Sequence, residues 1–91
     1  MKIGFEWDDQ KNRANYNKHG VWFEEAQTIW MDSCSVEFLD TKEGRYLRIG
    51  FSTRPRILLV VFCEPEDGQI IRIISARMAT NKEKEQYEEG I

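Results

Sequence analysis

Apolar residues recur along much of this chain with the two-residue period that is typical of β-strands. The stretch 57–63 departs from that alternation because it is apolar on both faces, which predicts a central strand covered on both sides. Short polar segments with turn residues separate the last four strands, so we expect these strands to form an antiparallel meander. The predicted strands are 3–7, 35–39, 45–51, 57–63 and 70–76.

A polar helix is predicted between the first two strands. Asp8 is the expected N-cap, and the helix should end near His19 and Gly20, where glycine is the usual left-handed terminator. This helix offers only Ala14 and Tyr16 for burial. Its stability must therefore come from docking on the rest of the protein.

Two further helices are predicted. One begins near Phe23, but Trp22 stands where a capping Ser, Thr or Asp is expected, and an exposed Trp there would indicate a contact surface. The other is short, lies at the C-terminal end and begins with the capping box formed by Thr80 and Glu83. The elements together indicate an α+β protein.

Composition sets the class of the protein. The 91 residues, 41% hydrophobic and 32% charged, are ordinary for one globular domain over residues 1–91. The longest apolar run, seven residues at 57–63, is far shorter than the roughly 18 residues of a membrane span. The first residues are charged too early for a secretory signal, and Cys34 and Cys63 are expected to be reduced, buried thiols. We therefore expect a cytoplasmic protein that does not contact membranes.

Charge is distributed unevenly although the net charge is only −3. Residues 45–82 carry seven Lys and Arg against three Asp and Glu, a local charge of +4, whereas 1–44 carry −4 and 83–91 carry −3. The predicted sheet is thus basic and lies between acidic helices. A basic face can bind a polyanion even in an acidic protein, and the alternative is that helices and strands simply pair their charges.

The strand at 70–76 contributes two arginines. A regular two-residue period would place Arg72 on one face of the sheet and Arg77 on the other. Arg77 comes at the end of the strand, where a rigidly anchored guanidinium is well suited to hold a phosphate. The alternative is an arginine that pairs with a carboxylate.

The remaining candidates for chemistry are cations, one imidazole and one phenol. A single histidine, no Cys/His cluster and no Gly-rich phosphate loop predict neither a metal site nor a cofactor. Cleavage of RNA through its own 2′-hydroxyl suits such a set, because it needs cations for the phosphate and groups that move protons. For His19, capping of the helix end is the alternative. The candidates are Lys18, His19, Arg54, Arg56, Arg72, Arg77 and Tyr87.

Several strings of this sequence resemble the BrnT family. The resemblance spans residues 5–89, nearly the whole chain, and its most specific segments are Lys-His-Gly-Val and Arg-Ile-Ile-Ser-Ala-Arg. The matching residues are Phe5-Glu6-Trp7-Asp8, Lys11-Asn12, Asn15, Lys18-His19-Gly20-Val21, Phe23-Glu24-Glu25-Ala26, Arg48-Ile49-Gly50, Leu59-Val60-Val61-Phe62, Arg72-Ile73-Ile74-Ser75-Ala76-Arg77, Ala79, Glu83 and Tyr87-Glu88-Glu89.

This resemblance implies a fold and a function. The fold would be RelE-like: a curved antiparallel sheet with the N-terminal helices packed on it and a short C-terminal helix. The protein would be a metal-independent endoribonuclease toxin of a type II toxin–antitoxin system. Its partner would be a BrnA-type ribbon-helix-helix antitoxin, through which alone it would reach operator DNA.

The resemblance also ranks the candidate residues. Lys18, His19 and Arg77 are the expected catalytic residues. The candidates for contacts to RNA or its phosphates are Arg54, Arg56, Arg72 and Tyr87. One alternative function is a non-catalytic binding module whose basic sheet docks an acidic protein segment. A DNA-binding protein is less favoured, because no helix is rich in base-reading residues.

Overall fold

The computed structural model describes residues 4–66 and 68–90, so Ile3 of the first predicted strand and Asp67 of a predicted turn lie outside the described residues. It contains five strands, three α-helices and a 3-10 helix. The strands are β1 (Gly4–Glu6), β2 (Val36–Leu39), β3 (Tyr46–Phe51), β4 (Ile57–Cys63) and β5 (Ile70–Met78). The helices are α1 (Asp9–His19), α2 (Phe23–Ala26), the 3-10 helix Gln27–Met31 that continues α2, and α3 (Asn81–Glu89).

The five strands form one curved sheet in the order β1-β5-β4-β3-β2. Strands β2 to β5 are antiparallel neighbours, and β4 is central, as its doubly apolar sequence predicts. The expectation of a fully antiparallel sheet is wrong for β1, which pairs with β5 in parallel. The sheet is therefore mixed, and the predicted α+β class is confirmed.

Each face of the sheet has its own apolar core. Phe62, Ile73 and Ala76 face a core that is completed by Phe23 of α2 and Ile29 of the 3-10 helix. A smaller core on the opposite face includes Val36, Ile49, Leu59 and Ala79, with Tyr87 of α3 packed against it. Burial of the apolar groups on both faces of β4 explains why this strand reads as a continuous apolar run.

A β-bulge in β5 changes which side chains share a face. Ser75 pairs with Val61 and Ile73 pairs with Phe62, so Ile74 has no partner in β4 and the alternation shifts by one residue. Arg72 and Arg77 consequently lie on the same face of the sheet. The prediction that the strand presents one arginine to each face is wrong because a single inserted residue inverts the pattern.

The ends of the helices follow their local signals. The Asp8 side chain accepts a hydrogen bond from the Lys11 backbone N–H at 3.0 Å, and Gly20 ends α1 with φ of 71°. Thr80 and Glu83 form the predicted capping box of α3. The Trp22 side chain makes no capping hydrogen bond to α2 and is exposed.

Helix α1 docks through polar side chains instead of apolar ones. Ala14 and Tyr16, the residues expected to be buried, are exposed, whereas Asn12 and Asn15 are only 6% and 7% exposed. The Asn12 side-chain oxygen accepts a hydrogen bond from the Phe23 backbone N–H at 2.8 Å. The docking of α1 therefore rests on amide groups that satisfy buried backbone atoms.

Both cysteines are free, but Cys34 is exposed and Cys63 is only half-buried, so the expectation that both thiols are buried is wrong. Within residues 4–66 and 68–90, no helix is long and apolar enough to cross a membrane.

Candidate active site

A narrow groove of about 230 Å³ separates helix α1 from strand β5. It brings two lysines and the single histidine of the chain against the bulged segment of β5. Two of the three predicted catalytic residues, Lys18 and His19, lie here, together with a serine hydroxyl. The lining residues are Lys11, Ala14, Asn15, Lys18, His19, Ile74 and Ser75.

Asn15 holds α1 beside β5 and so creates the groove. Strand β1 pairs with β5 only as far as Arg72, which leaves the backbone of Ala76 at an uncovered sheet edge. The Asn15 amide nitrogen donates to the carbonyl oxygens of Ala76 and Val21, both at 2.8 Å, and its oxygen accepts from the Ala76 N–H at 3.1 Å. One buried side chain thus replaces the missing neighbouring strand.

The two lysines of the groove share one face of α1. Lys11 and Lys18 are seven residues apart, which is close to two helical turns. Lys18 and His19 lie in the last turn, where the negative end of the helix dipole stabilises positive charge. In the part of the chain that the structure describes, none of these three side chains forms an ion pair. These side chains are therefore available to an anion.

Arg77, the third predicted catalytic residue, lies two positions beyond Ser75 on the same face of β5, about 6.6 Å further along the strand. It does not line the groove. Its guanidinium donates to both carboxylate oxygens of Glu83, at 2.8 and 2.9 Å. These hydrogen bonds hold the pKa of Glu83 below its ordinary value. The alternative of a strand-end arginine paired with a carboxylate is what the structure shows.

Arg56 is part of a buried polar cluster. Its Nε donates to the Glu25 carboxylate at 2.7 Å, and its Nη2 donates to the Gly20 carbonyl at 3.0 Å. The Ser52 hydroxyl donates to the same carboxylate at 2.7 Å. Burial raises the pKa of Glu25, but the hydrogen bonds from Arg56 and Ser52 outweigh it and leave the pKa below its ordinary value. Arg56 therefore ties the end of α1 to α2, and a contact with RNA would require this pair to open.

Two other candidates for RNA contacts are also engaged within the protein. Arg72 donates to Glu6 at 2.7 Å, and the Tyr87 hydroxyl donates to Asp32 at 2.7 Å, which raises the pKa of Tyr87 to about 12. Arg54, in contrast, is exposed and forms no ion pair among the described residues.

Ion pairs within the protein neutralise much of the basic segment 45–82. Among the residues that the structure describes, four of the seven Lys and Arg in 45–82 pair with a carboxylate, namely Arg48, Arg56, Arg72 and Arg77. The alternative that helices and strands pair their charges thus accounts for most of the uneven charge distribution. The two lysines of the groove, which form no ion pair among the described residues, come from α1, which belongs to an acidic segment.

Three polar groove residues were not predicted as part of a site: Lys11, Asn15 and Ser75. The seven-residue spacing of Lys11 and Lys18 on a polar helix was the available signal for the first. Asn12 and Asn15, three residues apart on a helix with little else to bury, were the signal for amide docking. Ser75 could not be assigned, because the bulge decides which way it faces.

No group of three or more His, Cys, Asp or Glu side chains within residues 4–66 and 68–90 is arranged to hold a metal ion. The donors that line the groove are amines, an imidazole and a hydroxyl, which suit an anion better than a divalent cation.

Comparison with known proteins identifies the family. A family model described as the ribonuclease toxin BrnT of a type II toxin–antitoxin system matches residues 7–83. The crystal structure of the Brucella abortus ribonuclease toxin BrnT superposes with a TM-score of 0.70 and 27% sequence identity, covering 88% of this chain and 100% of that chain. A search of curated proteins gave no match. The resemblance seen in the sequence is confirmed: the chain belongs to the BrnT family of ribonuclease toxins of type II toxin–antitoxin systems.

Proposed function

We propose that this protein is a metal-independent endoribonuclease that cuts RNA in the groove between α1 and β5. The observation that supports the proposal is a groove of a ribonuclease-family chain that holds Lys11, Lys18 and His19, none of which forms an ion pair with the residues that the structure describes. Cleavage of RNA would inhibit translation and growth of the cell in which the toxin acts, with the cytoplasm as its site of action.

The chemistry uses the RNA's own nucleophile. The 2′-oxygen attacks the adjacent phosphorus, the 2′-proton passes to a base, and the bond from phosphorus to the 5′-oxygen breaks as that oxygen gains a proton. The products are a 2′,3′-cyclic phosphate and a free 5′-hydroxyl. No covalent enzyme intermediate is needed, so charge stabilisation and proton transfer supply the catalysis.

Each groove residue has a role that fits its chemistry. His19 moves a proton, because imidazole exchanges protons near neutral pH. Lys18 acts as a point charge on a non-bridging oxygen of the scissile phosphate. Lys11 is about 10 Å away along the helix axis, so it binds a different phosphate of the same strand.

Arg77 takes part in the reaction by releasing the Glu83 carboxylate and binding a phosphate of the RNA in its place. Its guanidinium fork holds Glu83 in the free protein, and it can hold two phosphate oxygens in the same way. The pair is only partly buried, with 38% of the Arg77 side chain exposed. Glu83 therefore keeps the fork oriented at the strand end until RNA arrives.

The proposal is tested with a short RNA of defined sequence incubated with purified protein in EDTA. We expect cleavage with a cyclic phosphate at the new 3′ end, and no cleavage when the single ribose at the cut position is 2′-deoxy. Loss of cleavage in EDTA that added metal ions restore would contradict the metal-independent mechanism. Cleavage of the 2′-deoxy substrate would contradict attack by the 2′-hydroxyl.

We further propose that the toxin is neutralised by a BrnA-type ribbon-helix-helix antitoxin and reaches operator DNA only through it. Membership in a type II family supports an antitoxin partner. Co-expression with the product of the neighbouring gene should give one complex that elutes together at micromolar concentration and does not cleave RNA. Separate elution of the two proteins would contradict this partnership.

A non-catalytic binding module is the second candidate. Its basis was a basic sheet able to dock an acidic segment, but four arginines of that region are neutralised within the chain. The structure therefore favours the enzyme over this alternative.

A further inference from the structure

A stacked pair of aromatic rings lies on the surface next to the end of α1. The rings of Tyr16 and Trp22 are nearly parallel, with centroids 4.2 Å apart and an angle of 11° between their planes. Both side chains are 38% exposed. The Trp22 side chain also makes no capping hydrogen bond to α2, so the choice of Trp at this position is not explained by side-chain capping.

A second groove, of about 510 Å³, begins at this pair. It is lined by one ring of the pair, two carboxylates, a hydroxyl and a guanidinium: Trp22, Glu24, Glu25, Thr53 and Arg54. This volume lies within the range of about 300–1,000 Å³ that is usual for small-ligand pockets.

The charges of this second groove nearly cancel. Arg56 neutralises the charge of Glu25, and Ser52 donates a hydrogen bond to the same carboxylate. One oxygen of Glu24 accepts a hydrogen bond from the Asn12 amide at 2.8 Å. Arg54 supplies one positive charge against the one remaining on Glu24. A phosphate finds no net positive charge in this groove, whereas a flat, uncharged ring with a polar edge suits an aromatic wall beside a guanidinium.

The second groove and the candidate active site flank the same helix end. Tyr16 lies three residues before His19, so the two side chains are neighbours on the surface of α1. A strand of RNA whose scissile phosphate lies beside His19 can therefore place a neighbouring nucleotide at Trp22, which is stacked on Tyr16.

We propose that the second groove holds one unpaired nucleobase of the RNA substrate, stacked on Trp22 and contacted by Arg54. This inference rests on the proposed function, because it assigns part of the same substrate to a further site. Stacking of one base on an aromatic ring typically contributes roughly 5- to 100-fold in affinity and tolerates different base sequences. The site would thus fix the register of the strand relative to the groove that cleaves it.

The test measures binding without cleavage. A short 2′-O-methyl RNA has no free 2′-hydroxyl, and 2-aminopurine placed at successive positions reports stacking by loss of fluorescence. We expect strong quenching at one position next to the phosphate held by Lys18, and much weaker quenching elsewhere. Trp22→Ala should abolish this quenching and weaken binding roughly 5- to 100-fold, and Arg54→Ala should weaken binding in the same direction.

Two matched controls are available in the chain. Leu39→Ala removes another exposed apolar side chain, which is 80% exposed on the edge strand β2. Arg45→Ala removes an arginine that precedes β3, whereas Arg54 follows it, so the two lie near opposite ends of a six-residue strand. Neither control should change the affinity or the quenching.

A change in the RNA tests the same contact with the wild-type protein, so the result does not depend on how well a variant folds. Replacing the quenched base by an abasic nucleotide should reproduce the loss of affinity with wild-type protein, and Trp22→Phe should retain most of the binding. Equal affinity for abasic and complete RNA would overturn the proposal. So would a Trp22→Ala variant that binds RNA normally but loses the antitoxin, which would assign the aromatic pair to a protein partner.

The two proposals fail in different ways. If wild-type protein does not cleave unmodified RNA, the endoribonuclease proposal fails, while position-specific quenching of the uncleavable RNA still supports the stacking site. If cleavage occurs but no position is quenched, the stacking site is wrong and the catalytic groove stands.

Discussion

Replacing Asn15 by alanine should destabilise the protein far more than replacing the asparagine two residues further along the same helix. Asn15→Ala removes three hydrogen bonds and leaves one N–H and two carbonyl groups of Ala76 and Val21 without their partner. Both of these residues are buried, at 1% and 0% exposure, so water replaces the lost partner poorly.

The size of the effect follows from the number of bonds. Each hydrogen bond of this kind contributes about 1 kcal/mol net, so Asn15→Ala should cost about 3 kcal/mol. A domain of this length has a free energy of unfolding of roughly 5–14 kcal/mol, which makes this loss a large fraction of the total. The melting temperature should fall by roughly 12–24 °C.

Urea unfolding followed by circular dichroism measures the change directly. Asn17→Ala is the matched control, because Asn17 is exposed on the same helix and alanine there should change stability by no more than about 0.5 kcal/mol. Asn15→Asp is a further test: it keeps the shape but replaces the amide donors with an acceptor that faces two carbonyls. If Asn15→Ala and Asn17→Ala unfold at the same urea concentration, the docking account of α1 is wrong.

Three other perturbations have signed outcomes. Folding lowers the pKa values of Glu25, Asp32 and Glu83, so the stability that these carboxylates contribute is complete above about pH 5 and is lost as the pH falls through their folded-state pKa values. Urea unfolding between pH 7 and 3 should show this decline in the free energy of unfolding, and a flat profile would contradict it. Gly50→Ala should cost about 1–3 kcal/mol in the same assay, because its Cβ would lie 2.8 Å from the Cβ of Ile29; unchanged stability would refute this contact. Glu83→Gln keeps a capping side chain for α3 but removes the carboxylate that pairs with Arg77, so it should lower the free energy of unfolding by about 0.5–1 kcal/mol. The freed Arg77 should tighten binding of uncleavable RNA, and weaker binding would refute the proposal that Arg77 exchanges Glu83 for a phosphate.

Local signals in the sequence predicted much of the fold. The doubly apolar run at 57–63 marked β4 as the central strand, Gly20 marked the end of α1, and Thr80 with Glu83 marked the start of α3. Each of these features depends on residues that are close together in the chain. The physical preferences of neighbouring residues therefore indicate these features without knowledge of the tertiary contacts.

What the sequence did not predict depends on distant parts of the chain. The bulge at Ile74 is visible only in the pairing with β4, yet it decides that Arg72 and Arg77 share a face. The partner of Asn15 at Ala76 is 61 residues away, and the partner of Arg56 at Glu25 is 31 residues away. Long-range pairing thus assigned several candidate arginines to the protein's own carboxylates, and no local pattern contains that information.

The location of the cleavage site is tested most directly by the single-turnover rate of RNA cleavage by His19→Ala, measured together with its thermal melt. Arg13→Ala is the matched control, since Arg13 is exposed on the same helix and lies roughly opposite the groove. The account predicts that His19→Ala lowers the rate roughly 10²- to 10⁴-fold while its melting temperature stays close to that of the wild type, and that Arg13→Ala changes neither quantity. Cleavage by His19→Ala at the wild-type rate, or a slower rate explained entirely by unfolding, would contradict the assignment of the groove between α1 and β5 as the active site.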